Sequence, residues 1–276
     1  MFVHYRTQGF ILKKEDRGEA NQLFTFYTKD FGRLEILGRA IRKISSKLRS
    51  GAELFYLSEI EFIQGKAHKT LTDAISIEKF ANLRKDLKRL QIAYKISDVL
   101  DNLVKGQEPD EKIWHLLKET FDKLDNLKIA RPLRLAKQGG RENYKLKIIY
   151  YYFLWNLLSI LGYKAELYNC VICQKNLSTY FKLKYGLDRA QNYLCSGLTP
   201  EKLYFNSKEG GLICQNCFKK VKSPKEIKPE TVKILRIILE KNWQTLSKLK
   251  IEPNHLKLIK DISTYYLSSI LEKYHS

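Results

Sequence analysis

The chain has 276 residues, 44% of them hydrophobic and 12% aromatic, which is enough apolar surface to build a core and excludes an intrinsically disordered protein. Lysine and arginine number 50 against 30 acidic residues, giving a net charge of +20 at pH 7. This excess predicts a polyanionic partner: nucleic acid first, acidic protein tails second and anionic membrane third, with a generally lysine-rich proteome as the alternative explanation. No signal-peptide pattern opens the chain, and the longest apolar run, Ile148–Leu161, is too short to span a bilayer, so we expect a cytoplasmic protein without membrane association.

Strand signals come first in the chain. β-Branched and aromatic runs separated by turn-forming clusters occupy Gln8–Lys13, Gln22–Thr28, Arg33–Gly38, Leu54–Ile63 and Thr70–Ile77. Asp30–Arg33 has the composition of a tight hairpin turn in which Gly32 takes a positive φ. Five short antiparallel strands predict an OB-fold β-barrel over residues 1–79, and an SH3-like barrel is the alternative.

Helical periodicity replaces the strand pattern after Glu78 and predicts an α-helical domain over residues 80–163 and 228–276. The expected helices are Phe80–Leu103, Glu111–Leu124, Asn143–Leu161 with Gly162 as its stop, Pro229–Leu246 and Pro253–Tyr274. Residues 164–227 interrupt these helices and contain every cysteine. The predicted fold is therefore α+β and multidomain: a barrel, then helices with an inserted cysteine module.

Two C-x-x-C pairs, Cys170–Cys173 and Cys214–Cys217, provide four soft ligands in the insert. A tight turn aims both sulfurs of one pair in the same direction, and two pairs complete the tetrahedron of a closed structural zinc site. We expect one structural zinc ion per chain; a redox pair or simply packed thiols are the alternatives. The fifth cysteine, Cys195, has no such partner and is predicted to be a free or buried thiol.

Basic residues cluster in three segments. Residues 38–50 hold five cations and no acid, residues 131–147 surround Gly139-Gly140, and residues 219–228 follow the second cysteine pair. Such segments bind phosphates, or alternatively form a solvated surface. The cations predicted to contact nucleic acid are Arg33, Arg39, Arg42, Lys43, Lys47, Arg49, Arg131, Arg134, Lys137, Arg141, Lys219 and Lys220.

One barrel aromatic is predicted to stack on unpaired bases. Most aromatics of the strands belong in the core. Tyr27 lies an odd number of residues from Phe24 and Phe26 lies an even number from Phe24, so Tyr27 is expected on the opposite face of the strand, pointing outward.

Catalytic motifs are missing from the sequence. It has no P-loop, no G-x-G-x-x-G after a strand, no H-E-x-x-H and no H-x-E partner for the cysteines, and its histidines are scattered singly. We therefore expect neither an enzyme nor a nucleotide cofactor.

The sequence from Arg6 to Arg42 resembles the RecO family of recombination mediators. The matching elements are the strand at Gly9–Leu12, the G-E-A-N turn at Gly18–Asn21, the hairpin at Thr28–Gly32, the basic-loop entry at Gly38–Ala40, the strand and helix at Leu71–Leu87, and the cysteine segments Cys170–Cys173 and Phe205–Cys217. This resemblance implies an OB-fold, a helical domain and a zinc site held by the four paired cysteines.

The resemblance also implies a function in the bacterial nucleoid. Members of that family bind single- and double-stranded DNA, anneal complementary strands without ATP, engage the acidic tail of single-strand-binding protein and, with RecR, help load RecA onto coated DNA. The segment Tyr150–Trp155 is an expected region for tail binding. An RNA-binding protein of ribosome or tRNA maturation is the alternative, and an unrecognised nuclease is a third hypothesis.

Overall fold

The computed structural model describes residues 3–127, 143–178 and 202–275. The chain divides into two compact units, Met1–Phe153 and Leu154–Ser276. The domain bounds predicted from the sequence stay a prediction. Arg131, Arg134, Lys137, Arg141 and Cys195 lie outside the described residues.

Five strands close into a barrel in the order β1-β2-β3-β5-β4. They are β1 (His4–Arg17), β2 (Asn21–Thr28), β3 (Gly32–Gly38), β4 (Leu57–Gln64) and β5 (Lys69–Glu78). Neighbouring strands are antiparallel except β3 and β5, which pair in parallel at Ile36 and Leu37. This arrangement confirms the predicted five-stranded OB-like barrel.

Alternating residues of the strands fill the barrel, as the period-2 pattern requires. The buried cluster contains Ile11, Phe24, Phe26, Leu34, Ile36, Ile41, Ala52, Ile60, Phe62, Leu71 and Ala74. At the β2–β3 hairpin, Gly32 has a φ of +59°, and a Cβ there would come within 2.3 Å of the Glu108 carbonyl oxygen. Glycine is therefore needed at that turn both for its backbone angle and for the close approach.

Three helices of the first unit follow the barrel: α1 (Ala81–Lys85), α2 (Leu87–Leu103) and α3 (Glu111–Asn126). The sequence predicted one helix where α1 and α2 lie. The break falls at Asp86, which has extended backbone angles and whose carboxylate accepts hydrogen bonds from the backbone N–H of Lys88 and Arg89. An aspartate in this position caps a new helix and ends the preceding one.

A buried arginine terminates α3. The Arg89 guanidinium donates to the carbonyl oxygens of Leu124 and Leu127, each at 2.7 Å, and to that of Asp125. These carbonyls belong to the last turn, where the helix itself supplies no N–H donors for them. One side chain of α2 thereby fixes the end of α3.

Replacing Arg89 by methionine should destabilise the first unit by about 3 kcal/mol, because buried carbonyls would lose donors that water cannot replace. Denaturant unfolding of the full chain would measure this. Methionine at the adjacent, exposed Lys88 is the matched control and should change the free energy of unfolding by less than about 0.5 kcal/mol. Equal effects of the two changes would contradict the capping role.

The helix α4 (Asn143–Ile160) contains the longest apolar run of the chain. It ends as predicted, with Gly162 at a φ of +90° and the Tyr163 N–H donating to the Leu158 carbonyl oxygen at 2.8 Å. Within the described ranges, no helix has both the length and the apolarity to cross a membrane.

The second unit combines a small sheet with helices. Its strands β6 (Leu203–Asn206), β7 (Gly211–Cys214) and β8 (Lys225–Ile227) form an antiparallel sheet in the order β7-β6-β8. The helices are α5 (Pro229–Leu239), α6 (Trp243–Lys248) and α7 (Pro253–His275). The sequence predicted α5 and α6 as one helix, but Lys241 has a φ of +55° and Asn242 caps α6 through the Thr245 N–H.

Candidate metal centre and nucleic-acid interface

The four paired cysteines converge at one point of the second unit. Their sulfur atoms all lie within 4.8 Å of one another, and the Sγ atoms of Cys173 and Cys214 are 3.7 Å apart. Three of the four side chains are buried, while Cys173 is exposed. The spacing of the two pairs in the sequence thus predicted a cluster that the fold assembles.

The first pair lies on a tight turn. The Gln174 N–H donates to the Cys170 carbonyl oxygen at 2.9 Å, and the Cys170 N–H donates to the Lys175 carbonyl oxygen at 2.9 Å. Gln174 has a φ of +58°, which reverses the chain directly after Cys173. The Cys214 N–H points at the Cys170 Sγ at 3.4 Å, so the turn is also tied to the second pair.

The second pair spans the end of β7 and a following 3₁₀ turn, Gln215–Lys220. Just before β7, Gly210 has a φ of +70°, and a Cβ on Gly211 would lie 2.6 Å from the Glu166 carbonyl oxygen. Two backbone hydrogen bonds join this segment to residue 166: the Glu166 N–H to the Gly210 oxygen and the Leu212 N–H to the Glu166 oxygen. The Gly-Gly sequence therefore lets β7 approach the chain that leads into the first pair.

The electrostatics of the cluster favour a cation. Burial alone would raise the pKa of Cys170, but N–H donors from Cys173 and Cys214 outweigh it and lower the pKa to about 7. Burial and the neighbouring thiols raise the pKa of Cys217 to about 12. Four sulfurs at this distance cannot all ionise unless a positive charge lies among them. The donor set fits a soft, tetrahedrally coordinated metal ion, with no ligand position left for water.

Residues 38–50 form a loop between β3 and β4 rather than a helix, apart from a single 3₁₀ turn at Lys47–Ser50. We call these residues the basic loop. Its five cations, which are Arg39, Arg42, Lys43, Lys47 and Arg49, are all exposed. One of them, Arg42, lies 3.3 Å from the carboxylate of Asp16 on β1. Nucleic-acid binding by these cations stays a prediction.

Arg33 lies on β3, outside the basic loop, and is ion-paired with acids of its own unit, so its predicted contact with phosphate stays a prediction. Its Nε donates to Asp101 on α2 at 2.6 Å, and its terminal nitrogen donates to Glu35 at 2.8 Å. Lys13 on β1 donates to the other Asp101 oxygen at 2.8 Å. Two acids occupy the guanidinium of Arg33, whose role is to hold the barrel against α2.

The ion pairs of Asp101 with Lys13 and Arg33 make the stability of the first unit depend on pH. Burial alone would raise the pKa of Asp101, but hydrogen bonds from Lys13 and Arg33 outweigh it and hold the pKa below its ordinary value. A lowered folded-state pKa contributes stability above the unfolded pKa, about 3.9 for aspartate, and the contribution is lost as pH falls through the folded value.

Asp101→Asn should therefore lower stability by about 1–2 kcal/mol at pH 7, and the difference from the unmodified chain should shrink below about pH 4. Denaturant unfolding across pH measures both effects. The matched control is Asp98→Asn, because Asp98 is 61% exposed and lies 3.4 Å from Lys13. A difference that stays constant down to pH 2 would contradict the ion-pair origin.

Tyr27 requires a correction. Its ring points away from the barrel interior, as its parity predicted, but it is 0% exposed. Its hydroxyl donates to the Asp110 carbonyl oxygen at 3.3 Å, at the start of α3. The ring is fully buried in this structure, so Tyr27 cannot stack on bases.

Lys219 and Lys220 are exposed at the end of the 3₁₀ turn that contains Cys217. The sequence did not single out a neighbouring aromatic pair, in which Tyr204 of β6 packs on Phe218 with 4.3 Å between ring centroids. Both rings are half-buried. The sequence feature that could have drawn attention to this pair is the position of Phe218 directly after Cys217.

The expected tail-binding segment within α4 does not form an open surface. Tyr152, Phe153 and Trp155 are each at most 1% exposed. In the second unit, the Trp155 indole N–H donates to Ser263 at 2.8 Å and its ring packs on Phe205. These side chains are core, which excludes them as a docking site for a peptide in this structure.

Comparisons with known proteins give the same family for both the N-terminal and the C-terminal parts of the chain. Residues 1–80 match the family model described as Recombination protein O N terminal, and residues 84–203 and 185–276 match Recombination protein O C terminal. A protein named DNA repair protein RecO from Dehalococcoides mccartyi is 27% identical over 269 residues, covering 98% of this chain and 91% of the relative. Relatives of the same name from Alkaliphilus metalliredigens and a Thermoanaerobacter species are 26% and 23% identical and cover 95% and 97% of this chain and 92% of their own lengths.

Proposed function

This chain belongs to the recombination protein O family of DNA repair, and from that premise we propose that it binds single- and double-stranded DNA and anneals complementary strands without ATP. The observation that carries the proposal is the basic loop, an exposed run of five cations without an acid on an OB-like barrel. Phosphates release bound counterions when cations of this kind meet them, and no base-specific contact is required.

Annealing needs two strands to be held against their mutual repulsion. The basic loop belongs to the first unit, and the exposed Lys219 and Lys220 belong to the second. Each unit thus has cations of its own for a strand, and neutralising both strands lowers the repulsion that opposes pairing. The work is physical and involves no chemical step on DNA, so the proposal treats the protein as a mediator and not as an enzyme.

The proposal assigns one zinc ion per chain to Cys170, Cys173, Cys214 and Cys217. Four thiolates saturate a tetrahedral ion, so this zinc would stabilise the second unit and take no part in chemistry. Metal analysis of the purified chain is expected to give about one zinc per chain.

The partners proposed for the protein follow from its family. They are the acidic carboxyl-terminal tail of single-strand-binding protein and the protein RecR, together with which it would help load RecA onto coated DNA in the bacterial cytoplasm. The net charge of +20 supports binding of an acidic tail.

The test is annealing of two complementary DNA strands, each coated with single-strand-binding protein, with a fluorophore and a quencher on opposite strands and no ATP. Addition of the protein should accelerate quenching at low ionic strength and lose its effect as salt is added. No acceleration by zinc-loaded protein would refute the proposal. The alternative, an RNA-binding protein, predicts that single-stranded RNA of the same length and sequence competes better than DNA.

A further inference from the structure

The basic loop displays one apolar side chain among its cations. Ile44 is 94% exposed, the most exposed of the large hydrophobic residues in the described part of the chain. Arg42 and Lys43 precede it directly, and Lys47 and Arg49 follow. Single exposed aliphatic residues are common on protein surfaces, so exposure alone carries no inference.

The backbone fixes where Ile44 lies. The Ser46 N–H donates to the Lys43 carbonyl oxygen at 3.0 Å, and this bond closes a turn with Ile44 at its second position. A preceding turn is closed by the Lys43 N–H and the Ala40 oxygen at 3.1 Å. The Ala40 N–H in turn donates to the Asn21 side-chain oxygen at 2.8 Å. The tip is therefore a pair of hydrogen-bonded turns tied to the start of β2.

Two other apolar residues of the loop point inward and anchor it. Ile41 is 2% exposed within the barrel core, and Leu48 is half-buried against that core. Ile44 lies between them in sequence and points away from the core. Ile41 and Leu48 thus anchor the loop, and Ile44 projects from it between cations that flank it in the sequence.

We infer that Ile44 is a wedge that inserts between neighbouring bases of the bound strand, while the loop cations hold the flanking phosphates. The inference rests on the proposed DNA binding and deepens it. Aliphatic side chains that enter a base stack unstack the step, and their packing against the separated bases offsets the loss of base stacking. Unstacked bases are available to a complementary strand, so a wedge at this position suits an annealing protein.

The barrel offers a matched control in Ile75 on β5, which is 53% exposed. Ile75 pairs across the strands with Glu59, and Asp73 precedes it by two residues on the same strand. Two acids therefore lie beside Ile75, one of them ion-paired with Arg6, whereas the charged neighbours of Ile44 along the loop are all cations. The same exchange, isoleucine to serine, removes an equally sized exposed side chain at both positions.

The experiment uses the full zinc-loaded chain and a single-stranded oligonucleotide with one 2-aminopurine, whose fluorescence rises when its neighbours unstack. Every variant is added in excess at low ionic strength, so that fluorescence is compared with all the DNA bound. The unmodified chain and Ile75→Ser should raise the fluorescence about twofold or more, and Ile44→Ser should lose most of that rise. The affinity of Ile44→Ser should change by less than about fivefold, because burial and unstacking largely cancel.

A second variant separates the effect of added charge on binding from the effect of the inserted isoleucine side chain on base stacking. Ile44→Lys adds a cation, so it should bind DNA at least as tightly and steepen the salt dependence by about 0.7 in log–log slope, yet give no fluorescence rise. Equal fluorescence for Ile44→Ser and the unmodified chain, with DNA fully bound, would overturn the wedge and leave the proposed function intact. A chain that binds no DNA in dilute buffer would remove the proposed function and the wedge with it.

An anionic membrane could also attract a basic loop with an apolar tip. Sedimentation with vesicles of phosphatidylserine and phosphatidylcholine tests this directly. Failure of the vesicles to capture the chain supports the wedge. Capture that depends on Ile44, without any fluorescence change on DNA, would assign the tip to a lipid surface and overturn the inference.

Discussion

Exchange of Cys214 for serine is expected to abolish metal binding and to destabilise the Leu154–Ser276 unit by about 3–5 kcal/mol. Cys214 is 1% exposed at the end of β7 and lies against both Cys170 and Cys173. A serine hydroxyl is a poor ligand for a soft ion, and three remaining thiols would leave the ion with an open position. The core around Trp155 and Phe205 keeps the loss below the full binding energy of a zinc finger.

Two measurements check this result: metal content per chain and thermal unfolding with and without a chelator. The chelator should lower the melting temperature of the unmodified chain and leave that of Cys214→Ser unchanged. Cys195→Ser is the chemical control, since the fifth cysteine is predicted not to bind the ion, and it should retain one zinc per chain. Full metal content in Cys214→Ser would contradict a four-cysteine site.

The sequence was sufficient to predict the barrel and the cysteine cluster. Strand periodicity is a local property, and two C-x-x-C pairs restrict the geometry wherever they lie in the chain. The closed five-stranded barrel and the convergence of the four sulfur atoms confirm these expectations. Cys173 and Cys214 are 41 residues apart. Their spacing did not indicate how the second pair is placed beside the first, which depends on β7 and on the close approach of Gly211 to Glu166.

The sequence did not show which side chains other elements cover or pair with, and the prediction that Tyr27 is exposed was wrong. Strand alternation placed Tyr27 outside the barrel interior, but alternation does not show that Tyr27 is buried and hydrogen-bonded to Asp110, 83 residues further along the chain. Arg33 looked available because its partner Asp101 is 68 residues further along the chain. Burial and ion pairing between distant elements are tertiary properties, and a single sequence does not display them.

Helix breaks were missed for a related reason. Apolar periodicity continues through Asp86 and through Lys241, yet α1 ends at Lys85 and α5 ends at Leu239. Asp86 and Asn242 are side chains that compete with the helix by accepting hydrogen bonds from the backbone N–H groups that follow. Their residue types are cap signals. The prediction followed the hydrophobic pattern and did not take these cap residues as helix boundaries.

Charge reversal at three exposed positions of the basic loop, Arg39→Glu, Lys43→Glu and Arg49→Glu together, should weaken binding of single-stranded DNA about 100-fold or more at low salt. The same triple variant should flatten the log–log salt dependence by about 2, since each phosphate contact on a single strand accounts for about 0.7. Arg42 is left unchanged because Asp16 already lies beside it.

A matched variant distinguishes the effect of the loop cations on affinity from the effect of the chain's net charge. Lys88→Glu, Lys95→Glu and Lys112→Glu make the same change in net charge at exposed positions on α2 and α3. If the loop forms the interface, this control should bind within about threefold of the unmodified chain when both variants are measured at about 0.15 M ionic strength, where the Debye length is about 8 Å and cations outside the interface contribute little. If both variants lose affinity equally, attraction comes from the charge of the whole unit and the basic loop has no special place in it. A loss confined to the loop variant would instead mean that the three reversed cations of this acid-free segment, and not the net charge of the chain, account for the lost phosphate contacts.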